Sequence, residues 1–339
     1  MLSLLDRYKG TFVGVHVGDS LGAPYETWRP NDVAHDISTR AGLNLFDYPN
    51  TRMEKPEEHI LPAGMPTDDS EQTACLAMSL LACNGFDTEH FFDLLRSNVI
   101  DEQSVLWDGK STGAGGTTRK ALSGDPALME EARSNTIGTN GSLMRASPMA
   151  LMLAPILLDV SNERMFDSIR MQPAKDLVFA MSDVTHTHPH SKTACWIYVL
   201  VLASLLTGNN PESALGDVDD IDASLKTNLL AIRLGARLKD PHDLPYDPGA
   251  FPMRGTAEFS LYVALYALKH ATSFAHGIEI AIRVGGDTDT YAAIAGGLLG
   301  AHYGYEAIPA NWRQTILGHD IMVDLATQMY NRFVPTVTT

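Results

Sequence analysis

Two acid-rich segments constrain this chain more than any other feature. Residues 66–73 read PTDDSEQT and residues 285–290 read GGDTDT, and each stands directly ahead of an apolar run with helical period. A helix cap uses one such side chain, and Asp68 with Glu71 has the spacing of a capping box. Here Thr67, Asp68, Asp69 and Ser70 crowd one helix start, and Asp287, Thr288, Asp289 and Thr290 the other. Carboxylates packed together in an interior repel unless cations neutralise them. Oxygen-only sets without His or Cys suit hard Mg²⁺, Mn²⁺ or Ca²⁺. A binuclear site, with ions about 3.5–4 Å apart, shares the load best. The two segments supply four carboxylates, and Glu26 in GDSLGAPYE is a candidate fifth. The fold must then bring two helix starts, distant in the chain, to one place.

Most of the remaining chain has helical length and period, with little of the alternation that marks strands. Helices are expected over 2–21, 70–84, 88–98, 116–122, 142–154 and 173–185. Further helices are expected over 191–207, 225–237, 256–270, 274–284, 290–303 and 311–331. The class is all-α. Residues 28–66 and 240–254 read as long loops; the second carries Pro241, Pro245, Pro248 and Pro252, which cannot continue a helix. Both are expected to be loops on a single domain spanning 1–339, because the acid- and glycine-rich segments flank them and must converge. The glycines around Glu26 suggest close backbone packing at the end of the first helix.

Composition narrows the classes. Of 339 residues 45% are hydrophobic and 19% charged, which suits a large interior under a modest surface. Lys and Arg number 25 against 41 Asp and Glu, a net charge of −16 that repels nucleic-acid backbones and anionic membranes. Neither partner is expected. The longest apolar run, 194–206, is too short to cross a bilayer and reads as a helix buried on most sides. Charges precede any long apolar run near residue 1, unlike a secretory leader. Cys75, Cys83 and Cys195 are widely spaced with apolar neighbours, as expected of buried thiols in a reduced, cytoplasmic chain. The acidic run 216–222 (GDVDDID) begins like a calcium loop, but Ile221 and Asp222 break the pattern, leaving a solvated turn.

Two glycine loops, 111–122 (STGAGGTTRKAL) and 138–148 (GTNGSLMRASP), each run toward a helix and so offer free amides to a diphosphate. Neither matches a P-loop or a dinucleotide fingerprint. His186, His188 and His190 alternate in THTHPH without the further ligand that tetrahedral zinc requires, which points to a structural or ligand-contacting histidine. Met144, Met149 and Met152 read as core, and Lys110 and Arg119 as solvated.

Taken in order, the residues 18–26 (GDSLGAPYE), 67–70 (TDDS), 140–145 (NGSLMR), Thr185-His186, 285–290 (GGDTDT) and Ile308-Pro309 with Trp312 resemble the ADP-ribosylglycohydrolases over nearly the whole chain. The resemblance implies a compact multi-helix fold with a binuclear cleft holding two divalent cations, Mg²⁺ or Mn²⁺. It implies Thr67, Asp68, Asp69, Asp287, Asp289 and Thr290 as metal ligands. It implies Gly115, Gly116, Asn140, Gly141, Ser142 and His186 along an ADP-ribose ligand. Glu26, Asp68 and Asp69 are the candidates for proton transfer. The expected reaction is hydrolysis of the glycosidic bond between ADP-ribose and a modified acceptor, a protein side chain first, with arginine ahead of serine. The chain departs from nitrogenase-reactivating members at 113–118, where GAGGTT replaces their D-I-G-N-T-T. Two rivals are a catalytically inactive ADP-ribose-binding protein of the same fold and, from the acidic run Asp68, Asp69 and Glu71, a class I terpenoid synthase.

Overall fold

The computed structural model describes residues 2–50, 56–158, 168–216 and 255–335. The described chain runs α1 (Leu4–Gly22), α2 (Pro30–Thr39), a ribbon of β1 (Tyr48–Pro49) and β2 (Ile60–Leu61), α3 (Asp68–Cys83), α4 (Thr88–Val99) and α5 (Gly116–Leu122). There follow α6 (Pro126–Arg133), α7 (Ser147–Leu158), α8 (Ser168–Asp183) and α9 (Pro189–Leu206). The last group is α10 (Ala257–His270), α11 (Phe274–Ile282), α12 (Thr288–Tyr303), α13 (Ala310–Thr315) and α14 (His319–Phe333). The class is all-α as expected; the ribbon pairs only Tyr48 with Leu61 and Pro49 with Ile60.

The centre of the molecule is the pairing of α1 with α12. Glycines at 10, 14, 18 and 22 recur every four residues and so share one face of α1. A Cβ at Gly14 would stand 2.2 Å from the Gly296 carbonyl oxygen, one at Gly18 2.0 Å from that of Ala292, and one at Gly300 1.9 Å from that of Gly10. The two backbones therefore touch with no side chain between them, and the remaining faces of α1 are free to bury Tyr8, Phe12, Val13 and Val17 in the common core. The contact also has an end: Thr288 Oγ1 donates to the Gly22 carbonyl at 2.8 Å. The exit of α1, followed by a short turn at Ala23–Tyr25, is thus pinned to the start of α12. At the opposite end buried Arg7 donates to the carbonyls of Leu205, Ala301 and His302, satisfying terminal groups of α9 and α12.

The apolar 194–206 run lies in α9 and is buried throughout, as its all-round apolarity requires. Among the described residues no helix is long and apolar enough to cross a membrane. Several expectations are corrected. Residues 28–66 are not all loop: α2 starts with Pro30 in its first turn and buries Val33 and Ile37, an apolar stripe too sparse to show as periodicity. The helix α6 escaped notice for the same reason, although Asp125 caps it and Pro126 opens it. The expected 311–331 helix breaks into α13 and α14 at Gly318, whose φ of +85° no helix accepts. The 138–148 loop turns through 141–145 before α7 begins at Ser147, so it does not feed a helix directly. Cys75 and Cys195 are buried, but Cys83 is exposed. The expected 225–237 helix, the 240–254 loop and all of the 216–222 run after Gly216 lie outside the described residues.

Candidate active site

The two acid-rich helix starts converge. Capping does not explain either of them, because the N-cap residues Thr67 of α3 and Asp287 of α12 make no side-chain cap bond. The α3 start is capped from another helix. Asp19 Oδ2 of α1 accepts the amides of Thr67 and Ser70 at 3.0 and 3.1 Å, and Asp19 also takes the Thr67 hydroxyl at 2.7 Å and that of Ser70. Asp287 is oriented by Asn140, whose Nδ2 donates to it at 2.6 Å and to Ser260 Oγ at 2.8 Å. Oxygens of Glu26, Asp287 and Asp289 all fall within 4.8 Å of one another.

Electrostatics sharpen what this cluster needs. Burial, and after it repulsion from Asp289, Asp19, Asp68 and Asp287, holds the Asp69 carboxyl well above the usual range. Burial and then Asp289 do the same to Asp287, against the opposing pull of Asn140. Asp19 is pushed up to about 7, chiefly by burial, while the hydroxyls of Ser70 and Thr67 pull the other way. Asp69 Oδ1 is buried with no hydrogen-bond partner. An unpartnered carboxylate oxygen inside an oxygen-only acidic set has the chemistry of a hard-cation ligand, and a cation would offset the repulsion that raises these pKa values. The residues present fit a divalent metal.

A cavity of about 210 Å³ holds most of the expected site. Its wall includes Glu26, Asp68, Asp69, Asp287, Asp289 and Thr290, together with Gly115, Gly116, Asn140, Gly141 and His186. Gly115 and Gly116 open α5 and have free space where a side chain would stand, whereas a Cβ at Gly141 would lie 2.8 Å from the His186 ring. Thr67 is just outside, on the wall of a second cavity of about 480 Å³ that also shares Glu26 and Gly113. Ser142 is not on the wall: it is fully buried, and its Oγ accepts from Ser182 at 2.8 Å and lies 3.5 Å from Cys195 Sγ. The three histidines do not form one site. His186 faces the cavity, while His188 and His190 stack edge to face outside it and His190 pairs with Glu258 at 3.0 Å. Lys110 is solvated in an exposed pair with Glu102.

Glu71 is neither a cap nor a third site acid. It is buried away from the cavity, accepting from Asn98 at 3.0 Å, from the Val105 amide at 2.8 Å and from Ser104, and so anchors the loop after α4. Residues 68–72 read D-D-S-E-Q, one residue short of a terpenoid-synthase D-D-x-x-E, and Glu71 does not join Asp68 and Asp69 at the cavity. Sequence reasoning missed Asp19, Gln72 and Arg145. The available signal for Asp19 was an acid in the glycine- and valine-rich second half of α1, where every residue is buried. Gln72 donates to Asp68 Oδ2 at 3.0 Å, and Arg145 is the largest fully buried side chain.

The whole chain has counterparts of known activity. The family model for ADP-ribosylglycohydrolase matches residues 1–337. The ADP-ribosylarginine hydrolase Tri1 of Serratia proteamaculans is 26% identical over 331 residues, which cover 96% of this chain and 79% of that one. The ADP-ribosyl-[dinitrogen reductase] glycohydrolase of Rhodospirillum rubrum is 25% identical, covering 91% and 90%. Human ADP-ribosylhydrolase ARH3 is 24% identical, covering 97% and 94%. A solved structure described as an ADP-ribosylglycohydrolase-related protein complex superposes with a TM-score of 0.69 at 28% identity, covering 98% of this chain and 99% of that one. With matches that run essentially end to end, in sequence and in fold, the chain belongs to the ADP-ribosylglycohydrolase family of glycosidic-bond hydrolases.

Proposed function

We propose that this enzyme releases ADP-ribose from ADP-ribosylated proteins, with arginine as the first-choice acceptor and serine the second, and that two divalent cations, Mg²⁺ or Mn²⁺, serve the reaction. The observation that carries this is the meeting of Glu26, Asp287 and Asp289 within 4.8 Å, beside the unpartnered Asp69 oxygen. Thr67, Asp68, Asp69, Asp287, Asp289 and Thr290 would hold the cations. When bound, such ions polarise sugar hydroxyls and lower the pKa of water.

The chain's own groups do the rest. Asp19 fixes the first turn of α3 and Asn140 fixes Asp287, so the acid set is arranged before ligand arrives. Gly115 and Gly116 let a diphosphate approach backbone closely, and Gly141 with the His186 ring against it lines the same cavity. Glu26 is on the walls of both cavities, at the place where a scissile bond would separate sugar from acceptor. As a carboxylate it accepts a proton from attacking water, or as the protonated acid it passes its proton to the departing atom as the C–N or C–O bond breaks. A guanidinium needs little such help and a serine alkoxide needs more. Arginine leads because two of the relatives above are named for arginine or dinitrogen-reductase substrates.

A panel of Arg-, Ser- and nucleobase-linked ADP-ribose substrates, each assayed with Mg²⁺ and with Mn²⁺, tests the proposal. Arginine-linked ADP-ribose should be released fastest. Calorimetric binding of ADP-ribose without release from any substrate would instead identify an inactive binding protein.

A further inference from the structure

Arg145 lies behind the cavity wall, fully enclosed, with Phe91 beneath it at 5.4 Å. One arm donates to Gln72 Oε1 at 2.5 Å and the other to Thr185 Oγ1 at 2.6 Å. Beyond Gln72 the chain of bonds continues to Asp68 Oδ2 at 3.0 Å. Beyond Thr185 it reaches His186 Nδ1 at 2.7 Å. A guanidinium has five donors and no acceptor, so both neighbours must turn an oxygen toward it. Gln72 then has only its NH₂ left for Asp68. Thr185 has one hydroxyl proton left, and among the hydrogen bonds of the described residues its one acceptor is His186 Nδ1. A neutral imidazole that accepts at Nδ1 carries its proton on Nε2.

We propose that Arg145 is a positioning residue that sets the proton arrangement of the cleft, holding His186 through Thr185 as the neutral Nε2–H tautomer and Asp68 through Gln72 as a hydrogen-bond acceptor. Burial, and after it the Arg145 charge, pushes the His186 pKa down to about 3, which agrees with a neutral ring. Its Nε2 stands at the wall beside Gly141, so the cavity receives a fixed uncharged donor. Such a donor suits an acceptor-only oxygen of a diphosphate or a ribose. That choice of ligand rests on the function proposed above; the tautomer does not.

The test is long-range ¹H–¹⁵N NMR on histidine-labelled protein, free of metal and ligand, with His186→Ala to assign the ring. Wild type should show one Nε2–H tautomer at neutral pH. Thr185→Ser, which keeps the hydroxyl, should preserve it, and Thr185→Val should lose it. Arg145→Lys keeps the charge but offers one nitrogen where two are needed, and should also lose it. An Nδ1–H or imidazolium ring in wild type, or an unchanged ring in Thr185→Val or Arg145→Lys, overturns the proposal. ADP-ribose affinity should fall about five- to tenfold in Thr185→Val and recover in Thr185→Ser. The expected tautomer pattern without ADP-ribose affinity in any variant would support the Arg145 network and sink the ligand assignment instead.

Discussion

The acids of this site differ in what each does, and single substitutions separate them. Asp69→Ala and Asp287→Ala each remove an oxygen set aimed into the cavity and should cost more than about a hundredfold in turnover, with weaker metal binding and a folded circular dichroism spectrum. Asp19→Ala acts differently, because it strips the α3 start of the cap supplied by another helix. It should lower stability by about 2 kcal/mol in denaturant titration and weaken metal binding only indirectly. A normal unfolding midpoint for Asp19→Ala would show that the α3 start is held by something else. At this scale the sequence exposed the clustered carboxylates, since eight oxygen side chains at two helix starts exceed any capping need. Asp19 and Arg145 were hidden in motifs quoted only as landmarks. Their roles depend on partners brought from 40 or more residues away, as Thr67 and Ser70 are to Asp19 and Gln72 and Thr185 to Arg145.

Among elements, the α1–α12 contact does most to place the site. Gly18→Ala would drive a methyl into the Ala292 carbonyl, where no flexible side chain can yield. The variant should be destabilised by about 3 kcal/mol or more and should also lose activity, because Gly18 sits one residue from Asp19. Gly115→Ala offers the contrast. Nothing lies within 4 Å of the added carbon, so stability should hold while ADP-ribose affinity falls. Equal thermal shifts in the two variants would contradict the backbone interlock. Long helices with dense apolar residues were legible, and the short 116–122 helix that follows a glycine loop was read to the residue. The two short amphipathic helices α2 and α6 were not, because so few of their positions are buried that Pro at the first turn, and in α6 the Asp125 cap, carry the signal. The break at Gly318 was overlooked because apolar residues continue on both sides.

For the molecule as a whole, the charge of −16 matters through where part of it is buried. The folded chain raises the carboxyl pKa of Asp19 to about 7 and lifts those of Asp69 and Asp287. A folded state that binds more protons than the unfolded one loses stability as pH rises, here from about 4 upward through about 7. Metal-free protein should therefore melt at lower temperature at about pH 8 than at about pH 5. Divalent cations held by Asp69 and Asp287 would replace their protons, so on that proposal the rise in melting temperature on adding Mn²⁺ should grow with pH. A metal increment that is flat across this range would mean the buried acids are not the binding groups.

The central claim is that these acids and a divalent cation together break the bond to ADP-ribose. It is tested most directly by stripping the enzyme with EDTA and following ADP-ribose release from an arginine-ADP-ribosylated protein before and after Mg²⁺ or Mn²⁺ is restored. Release should vanish in the stripped enzyme, return with metal in wild type, and stay absent in Asp287→Ala. Full release in excess EDTA, by wild type and Asp287→Ala alike, would contradict it.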